Sequence, residues 1–169
     1  VRDIFLVCCY TGVRFSEYKN LKQENIEIGR KGCLINYYAQ KNTKYVSTIC
    51  NDNALELLKK YKFNLPHISL QKYNIYIKEV CKIAKIDKEI IIHSYKAGKA
   101  ITLKKRKFQK ISSHTGRTSF ITNLIIEGIS STHIKKVTGH SNEKDVNKYN
   151  QITSIESIEL IQQALKKSG

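Results

Sequence analysis

The sequence predicts a mainly α-helical domain with a small antiparallel β-sheet. Apolar residues recur at helical spacing through several separate segments of the 169-residue chain. One block, from Ile26 to Ile49, is instead rich in β-branched and aromatic residues and is interrupted by two turn-like stretches. The length fits a single domain with an ordinary hydrophobic core, so we expect residues 1–169 to form one domain.

The N-terminal third is predicted to contain two helices followed by the sheet. Arg2–Tyr10 is an apolar helix that ends at Thr11-Gly12, and Ser16 is expected to cap a second helix through Tyr18 and Leu21. Three strands follow, and they are Ile26–Ile28, Cys33–Tyr38 and Tyr45–Ile49. The turn between the last two strands is rich in lysine.

The remainder is predicted to be mostly helical. Asp52 is expected to cap a helix that ends before Pro66, and a second helix covers Ser69–Lys85. A polar, basic segment follows from Tyr95 to Lys110. Its apolar flanks, Ile101–Leu103 and Phe108–Ile111, would allow a short hairpin.

Three further helices complete the prediction. Ser113 caps the first, which ends at Gly128, and a short second helix covers Thr132–Thr138. The third, Ser154–Lys167, carries one apolar stripe. The residues of the stripe are Ile155, Ile158, Ile161 and Leu165.

The composition favours a polyanionic partner. Thirty Lys and Arg residues oppose fourteen Asp and Glu residues, a formal net charge of +16, and each phosphate that such a protein neutralises releases counterions. No stretch approaches the roughly 20 apolar residues of a membrane span. Five cysteines without a C-x-x-C pair suggest reduced thiols in the cytosol. Because the chain contains no methionine, we expect it to be a fragment of a longer protein, although processing would also explain this.

Several residues have the chemistry of a phosphate site. With Ser113 as the N-cap, His114 and Arg117 lie one turn apart at a helix N-terminus, which attracts anions. Arginine can form two hydrogen bonds to a phosphate, and histidine exchanges protons near neutral pH. His140 and Tyr149 follow, although Gly139 could be an ordinary helix C-cap and Tyr149 an ordinary core residue.

Together these residues resemble the tyrosine recombinases, the phage integrase family. The motif Thr11–Glu17, which contains Arg14, is followed in the family's order by further motif residues. These are the hairpin Lys41, His114-x-x-Arg117, Gly139-His140-Ser141 and Tyr149. The stretch Ile111–Leu124 is similar to integrases of Bacteroides-type conjugative transposons. The resemblance covers nearly the whole chain and implies the family's catalytic-domain fold, with the N-terminal core-binding domain of the family preceding Val1.

The resemblance also implies a role for each residue. Tyr149 would attack the scissile phosphate, forming a 3′-phosphotyrosyl bond and a free 5′-hydroxyl. Arg14 and Arg117 would hold the non-bridging oxygens, and His140 would add a hydrogen bond. His114 would assist proton removal from Tyr149, and Lys41 would protonate the leaving 5′-oxygen. Lys44 is a rival for this last role.

The implied partners follow from the same resemblance. The substrate would be double-stranded DNA, bound by a homotetramer in the synaptic complex, with possible accessory DNA-bending or excision factors. No metal or other cofactor is expected, because one phosphoester replaces another. The protein would act in the bacterial cytoplasm at the nucleoid. Phosphate contacts are expected from Lys41, Lys44, Lys104–Lys107 and Lys110, whereas Lys59, Lys60 and Lys166 would be solvated. The final helix could dock on its own domain or on a neighbouring subunit.

Three alternatives stay open on the sequence. Gly128–His140 could form the helix-turn-helix of a repressor, which would explain the charge but not the ordered series ending at Tyr149. A type IB topoisomerase would use nearly the same site to relax supercoils. A metal site is a third alternative, although the spacing of its ligands matches no familiar motif. Those ligands would be His93, His114, His133 and His140.

Overall fold

The computed structural model describes residues 1–29, 32–40, 43–96, 99–150 and 162. Within them lie seven α-helices and two antiparallel sheets, which confirms the predicted class. The helices are α1 (Arg2–Thr11), α2 (Asp52–Lys60), α3 (Leu70–Ile83), α4 (Lys107–Lys110), α5 (Thr115–Ile126), α6 (Ser131–Thr138) and α7 (Glu143–Asn147). The strands are β1 (Ile26–Gly29), β2 (Gly32–Ala39), β3 (Lys44–Cys50), β4 (Glu89–Lys96) and β5 (Lys99–Arg106). The predicted helix over 154–167 lies outside the described residues.

Helix α1 ends as predicted, but the helix expected after it does not form. Gly12 takes a left-handed conformation (φ 69°), and its N–H donates to the carbonyl of Cys8. Two 3₁₀ turns, Tyr18–Asn20 and Gln23–Asn25, follow instead. Tyr18 and Leu21 are both buried, and a three-residue spacing of two inward side chains suits a 3₁₀ turn better than an α-helix.

The three-stranded antiparallel sheet has the order β1-β2-β3, with Ile35 opposite both Ile26 and Thr48. Its inner face is formed by Ile35, Tyr37, Val46 and Thr48, all buried. The Thr48 hydroxyl donates to the carbonyl of Thr11 at 2.7 Å. This bond fixes β3 against the end of α1, next to the segment that carries Arg14.

Helices α2 and α3 pack on the sheet and on α1. Asn51, not Asp52, caps α2, because its side chain accepts from the Ala54 N–H at 2.9 Å. Ser69 caps α3 in the same way. Lys60 is not simply solvated as expected: its Nζ lies 2.7 Å from Oδ2 of the largely buried Asp3.

The predicted pairing in the basic segment is wrong. Strand β5 pairs with β4, which precedes it, and Lys107–Lys110 forms the short helix α4. In the resulting hairpin Ile92 lies opposite Leu103, and Ile91 opposite Lys104. A two-stranded ribbon that buries little surface needs no regular alternation of apolar and polar residues. The sequence therefore contains no signal for β4 as the partner of β5.

The buried residues form two clusters. The larger one joins α1, the three-stranded sheet, α2 and α3. The smaller one joins α5, α6 and α7 through Phe120, Ile121, Ile134 and Val146. Helices α1 and α5 cross closely between them, because Gly116 lies so near Cys8 that an added Cβ would be 2.9 Å from the Cys8 Cβ. The candidate site lies where the two clusters meet.

Candidate active site

Arg117 is anchored between the two clusters. It lies on α5, one residue after Gly116, and is only 1% exposed. Its Nη1 donates to the carbonyl of Gly12 at 2.7 Å, and its Nη2 donates to the carbonyl of Thr138. Burial and the neighbouring Arg14 lower the pKa of the guanidinium. The two carbonyls therefore hold a positive charge at a fixed position.

Arg14 supplies a second guanidinium from the turn after α1. Its Nη1 lies 3.4 Å from Oε1 of Glu17, a carboxylate that is 1% exposed. This buried negative charge partly offsets two adjacent arginines. Two fixed positive charges beside one cavity are suited to a phosphodiester.

His140 enters the cavity because the chain reverses at Gly139. Gly139 has φ 68°, which ends α6, and the His140 N–H donates to the carbonyl of Lys135 at 3.1 Å. Nη2 of Arg117 lies 3.5 Å from both ring nitrogens. Burial, Arg117 and Arg14 lower the pKa of His140 to about 4. The imidazole is therefore neutral at pH 7 in the free protein.

Tyr149 and His114 meet at the opening of the cavity. The Tyr149 hydroxyl lies 3.0 Å from Nε2 of His114. The Tyr149 ring packs against the smaller cluster, and its centroid lies 5.8 Å from that of His140. Tyr149 is thus both packed at the edge of the core and hydrogen-bonded to a histidine that can exchange its proton.

The structure brings five of the six predicted site residues to one cavity of about 550 Å³. They are Arg14, His114, Arg117, His140 and Tyr149. Lys41 lies outside the described residues. Lys44, its rival, donates from Nζ to the carbonyl of His140 at 3.1 Å. A second cavity, of about 520 Å³ beside the three-stranded sheet, has a mainly apolar lining and contains none of these groups.

Sequence reasoning missed three residues of the site, Thr138, Asp145 and Lys148, and gave no role to a fourth, Ser141. Ser141, Asp145 and Lys148 also line the cavity, and Thr138 contacts both Arg117 and His140. Asp145 and Lys148 form an ion pair at 2.6 Å. Asn142, a residue type that commonly caps helices, was a signal for this segment: its side chain accepts from the Asp145 N–H as the N-cap of α7. A five-residue helix, however, is too short to show an apolar pattern in the sequence.

The described part of the chain contains neither a metal-binding cluster nor a helix that could span a membrane. Over the residues that the structure describes, no group of three or more His, Cys, Asp or Glu side chains is placed to hold a metal ion. His133, one of the four histidines considered for such a site, pairs with the Ser130 hydroxyl at 2.7 Å on the surface of α6. In the same residues no helix has the length and apolar character to cross a bilayer.

Replacing Gly139 with alanine is expected to displace the His140 segment. A Cβ there would lie 2.6 Å from Cγ2 of Val46 and would force a left-handed backbone on alanine, at a cost of about 2–4 kcal/mol. Gly128→Ala is the matched control, since Gly128 has φ 77° with nothing within 4 Å, and it should cost about 1 kcal/mol. Urea midpoints measure both. Equal losses would show that the Val46 contact contributes nothing.

The lowered pKa of His140 predicts a pH-dependent stability. The unfolded chain binds a proton near pH 6.5, whereas the folded chain binds it near pH 4, so the free energy of unfolding should fall as the pH drops from 6.5 to 5. Urea midpoints should show this for the wild type and much less for His140→Gln. His133→Gln, an exposed histidine on α6, should keep the wild-type dependence. The same slope in all three proteins would contradict the assignment.

Comparison with known proteins reveals similarity in sequence and in fold. The sequence matches the model of the Phage integrase family over residues 1–155. It is 26% identical over 139 residues to the TnP I resolvase of Bacillus thuringiensis, covering 82% of this chain and 45% of the resolvase. The chain thus spans about half the length of this curated relative.

Solved structures share the fold at low sequence identity. The XerA recombinase matches with a TM-score of 0.70 and 20% identity, over 96% of this chain and 57% of that one. The Tn1549 transposon integrase in complex with circular intermediate DNA matches with a TM-score of 0.61 and 15% identity, over 96% and 59%. The catalytic domain of bacteriophage HP1 integrase matches with a TM-score of 0.54 and 17% identity, over 95% and 79%. The fold implied by the sequence resemblance is confirmed.

Proposed function

Because this chain belongs to the phage integrase family, we propose that it is the catalytic domain of a site-specific DNA recombinase. It cleaves and rejoins DNA strands through a 3′-phosphotyrosyl intermediate, for integration or excision of a mobile element. The observation that carries the proposal is the 3.0 Å contact between the Tyr149 hydroxyl and Nε2 of His114, beside a cavity lined by two arginines and a second histidine.

In the proposed cleavage step the Tyr149 oxygen attacks the scissile phosphorus. The bond between phosphorus and the tyrosyl oxygen forms, the bond to the 5′-oxygen breaks, and the phenolic proton passes to His114. A phenol is a weak nucleophile while it keeps this proton, so the adjacent histidine accelerates the attack. Rejoining reverses the step with the 5′-hydroxyl of the partner strand.

The two arginines stabilise the charge that develops on the phosphate. Arg117 is held by carbonyls of Gly12 and Thr138 and Arg14 by Glu17, so neither must reorganise during the reaction. Preorganised donors of this kind are among the largest contributions to catalysis. His140 is proposed to add a contact to the same phosphate.

The 5′-oxygen needs a proton as it leaves, and we assign that role to Lys41. Lys44 is already committed to the carbonyl of His140, which favours a positioning role for it. Lys41→Ala should slow cleavage on the order of 100-fold. A substrate with sulfur at the bridging 5′ position should restore the rate, because a thiolate leaves without protonation.

The matched variant for this assignment is Lys44→Ala, measured on both substrates in single-turnover reactions. We expect its loss of rate to be the same with oxygen and with sulfur. Rescue of Lys44→Ala by sulfur, with no rescue of Lys41→Ala, would reverse the assignment.

The proposed partners are double-stranded DNA, three further copies of the protein in a synaptic tetramer, and accessory DNA-bending or excision factors. The setting is the bacterial cytoplasm at the nucleoid. The net charge of +16 supports DNA binding and a steep dependence of affinity on salt. A repressor is disfavoured, because the turn after α6 directs His140 into the cavity.

The proposal is tested by trapping the covalent intermediate. The full-length protein is incubated with a nicked duplex that contains the end of its element, so that the short cleaved strand diffuses away and prevents rejoining. We expect a protein–DNA adduct that survives denaturing electrophoresis and maps to Tyr149 by peptide mass spectrometry. DNA binding without any adduct would overturn the proposal.

A further inference from the structure

Thr138, the last residue of α6, contacts two side chains of the candidate site. It is 1% exposed. Its carbonyl accepts from Nη2 of Arg117, and its hydroxyl oxygen lies 2.6 Å from Nδ1 of His140. The same hydroxyl donates to the carbonyl of Ile134 at 2.5 Å. Both the carbonyl and the hydroxyl of this buried threonine are therefore engaged at the candidate site.

The hydroxyl's single proton decides the direction of the bond to His140. A hydroxyl has one donor and two acceptor positions, whereas a carbonyl can only accept. Because the Thr138 proton is used on Ile134, the hydroxyl can only accept from His140. The proton of the neutral imidazole must therefore lie on Nδ1, and Nε2 carries a lone pair.

Arg117 does not distinguish the two proton forms of the ring. Its Nη2 is a donor and lies 3.5 Å from both ring nitrogens, so it can face the unprotonated nitrogen in either form. The Thr138 hydroxyl does distinguish them. With the proton on Nε2, the hydroxyl oxygen and Nδ1 would be two acceptors 2.6 Å apart with no proton between them.

We propose that Thr138 is a positioning residue whose hydroxyl holds His140 in the Nδ1–H form and thereby makes Nε2 the nitrogen that meets the scissile phosphate. The inference rests on the proposed function and names the atom through which His140 acts. To donate from Nε2, the imidazole takes up a second proton from solvent when the phosphate binds. The charged and titratable groups around it that affect this step are Arg14, Lys44, His114, Arg117, Asp145 and Tyr149.

The test is a long-range nitrogen–proton NMR spectrum of the uniformly ¹⁵N-labelled chain at neutral pH, which distinguishes the two neutral imidazole forms. The chain has five histidines, and His140→Gln identifies the signals of His140 by their loss. Thr138→Val removes the hydroxyl at similar volume, and Thr138→Ser keeps it. Tyr149→Phe is a control that alters the environment of His114, the histidine bonded to Tyr149.

We expect His140 to be in the Nδ1–H form in the wild type and in Thr138→Ser, and to shift toward the Nε2–H form in Thr138→Val. The rate of adduct formation should fall roughly three- to tenfold in Thr138→Val, as for the loss of one hydrogen bond, and should return in Thr138→Ser. If Thr138→Val does not fold, the wild-type and Thr138→Ser spectra still decide the form.

An Nε2–H form in the wild type, or a spectrum of folded Thr138→Val unchanged from the wild type, would overturn the inference. These readouts need no DNA cleavage. A wild type in the Nδ1–H form that forms no adduct would therefore count against the proposed function alone, and an active wild type in the Nε2–H form against Thr138 alone.

Discussion

Tyr149→Phe is expected to abolish the covalent protein–DNA adduct completely while DNA binding persists. The substitution removes one oxygen, and that oxygen is the proposed nucleophile. The ring should keep its packing against the smaller cluster, and the loss of the exposed hydrogen bond to His114 should cost about 1 kcal/mol of stability or less. Gel shift, urea midpoint and adduct formation on the nicked duplex measure the three properties.

The matched control for this variant is Tyr45→Phe. Tyr45 lies on β3 and is 83% exposed, far enough into solvent that removing its hydroxyl should leave adduct formation unchanged. An adduct that persists in Tyr149→Phe would show that another residue is the nucleophile. Loss of the adduct together with loss of binding would mean that the phenol acts in DNA recognition.

Arg117→Ala is expected to impair both folding and catalysis. It would leave the buried carbonyls of Gly12 and Thr138 without their donor, at about 1–3 kcal/mol for each. The alanine variant no longer has to bury the charged guanidinium, and this gain offsets part of the loss. We therefore expect a net destabilisation of about 2–4 kcal/mol. Adduct formation should fall by at least 100- to 1000-fold, roughly the effect of removing one transition-state donor.

Arg117→Lys separates the two effects. The ammonium keeps the charge but cannot span the two carbonyls as the planar guanidinium does, so stability should lie between the wild type and alanine, with adduct formation still strongly reduced. Arg2→Ala, whose side chain is 65% exposed, is the control and should change stability by less than about 1 kcal/mol. A stable, fully active Arg117→Lys protein would show that charge alone suffices.

The sequence predicted the helices and strands that have a long, regular apolar pattern. α1, α3, α5 and the three-stranded sheet lie where the pattern placed them, with ends shifted by a residue or two. The N-cap of α5 is His114, however, and not the predicted Ser113. The failures are short or solvent-exposed elements. Three elements bury too few residues to leave a periodic signal. They are the turn at Tyr18–Asn20, the strand β4 that pairs with β5, and the helix α7. The cap of α2 was predicted one position too late, at Asp52 and not at Asn51.

The order of the candidate catalytic residues along the chain was enough to predict a site. It was not enough to predict the hydrogen bonds that hold the side chains of that site in place. The bonds of Arg117 to Gly12 and of Lys44 to His140 join residues 105 and 96 positions apart. In the sequence, Thr138 is one residue of a predicted helix. Its contact with His140 forms only because the chain turns at Gly139. Such contacts depend on packing of distant elements, and no local pattern encodes them.

The division of the core into two clusters determines when the candidate site is complete. Tyr149 packs against the smaller cluster, Arg117 lies on α5 and His140 follows α6. Arg14 follows α1 and Lys44 begins β3, two elements that belong to the larger cluster. A chain in which only one cluster has formed would therefore carry only part of the site. Under the proposed function, such an incompletely folded copy would be unable to cleave DNA.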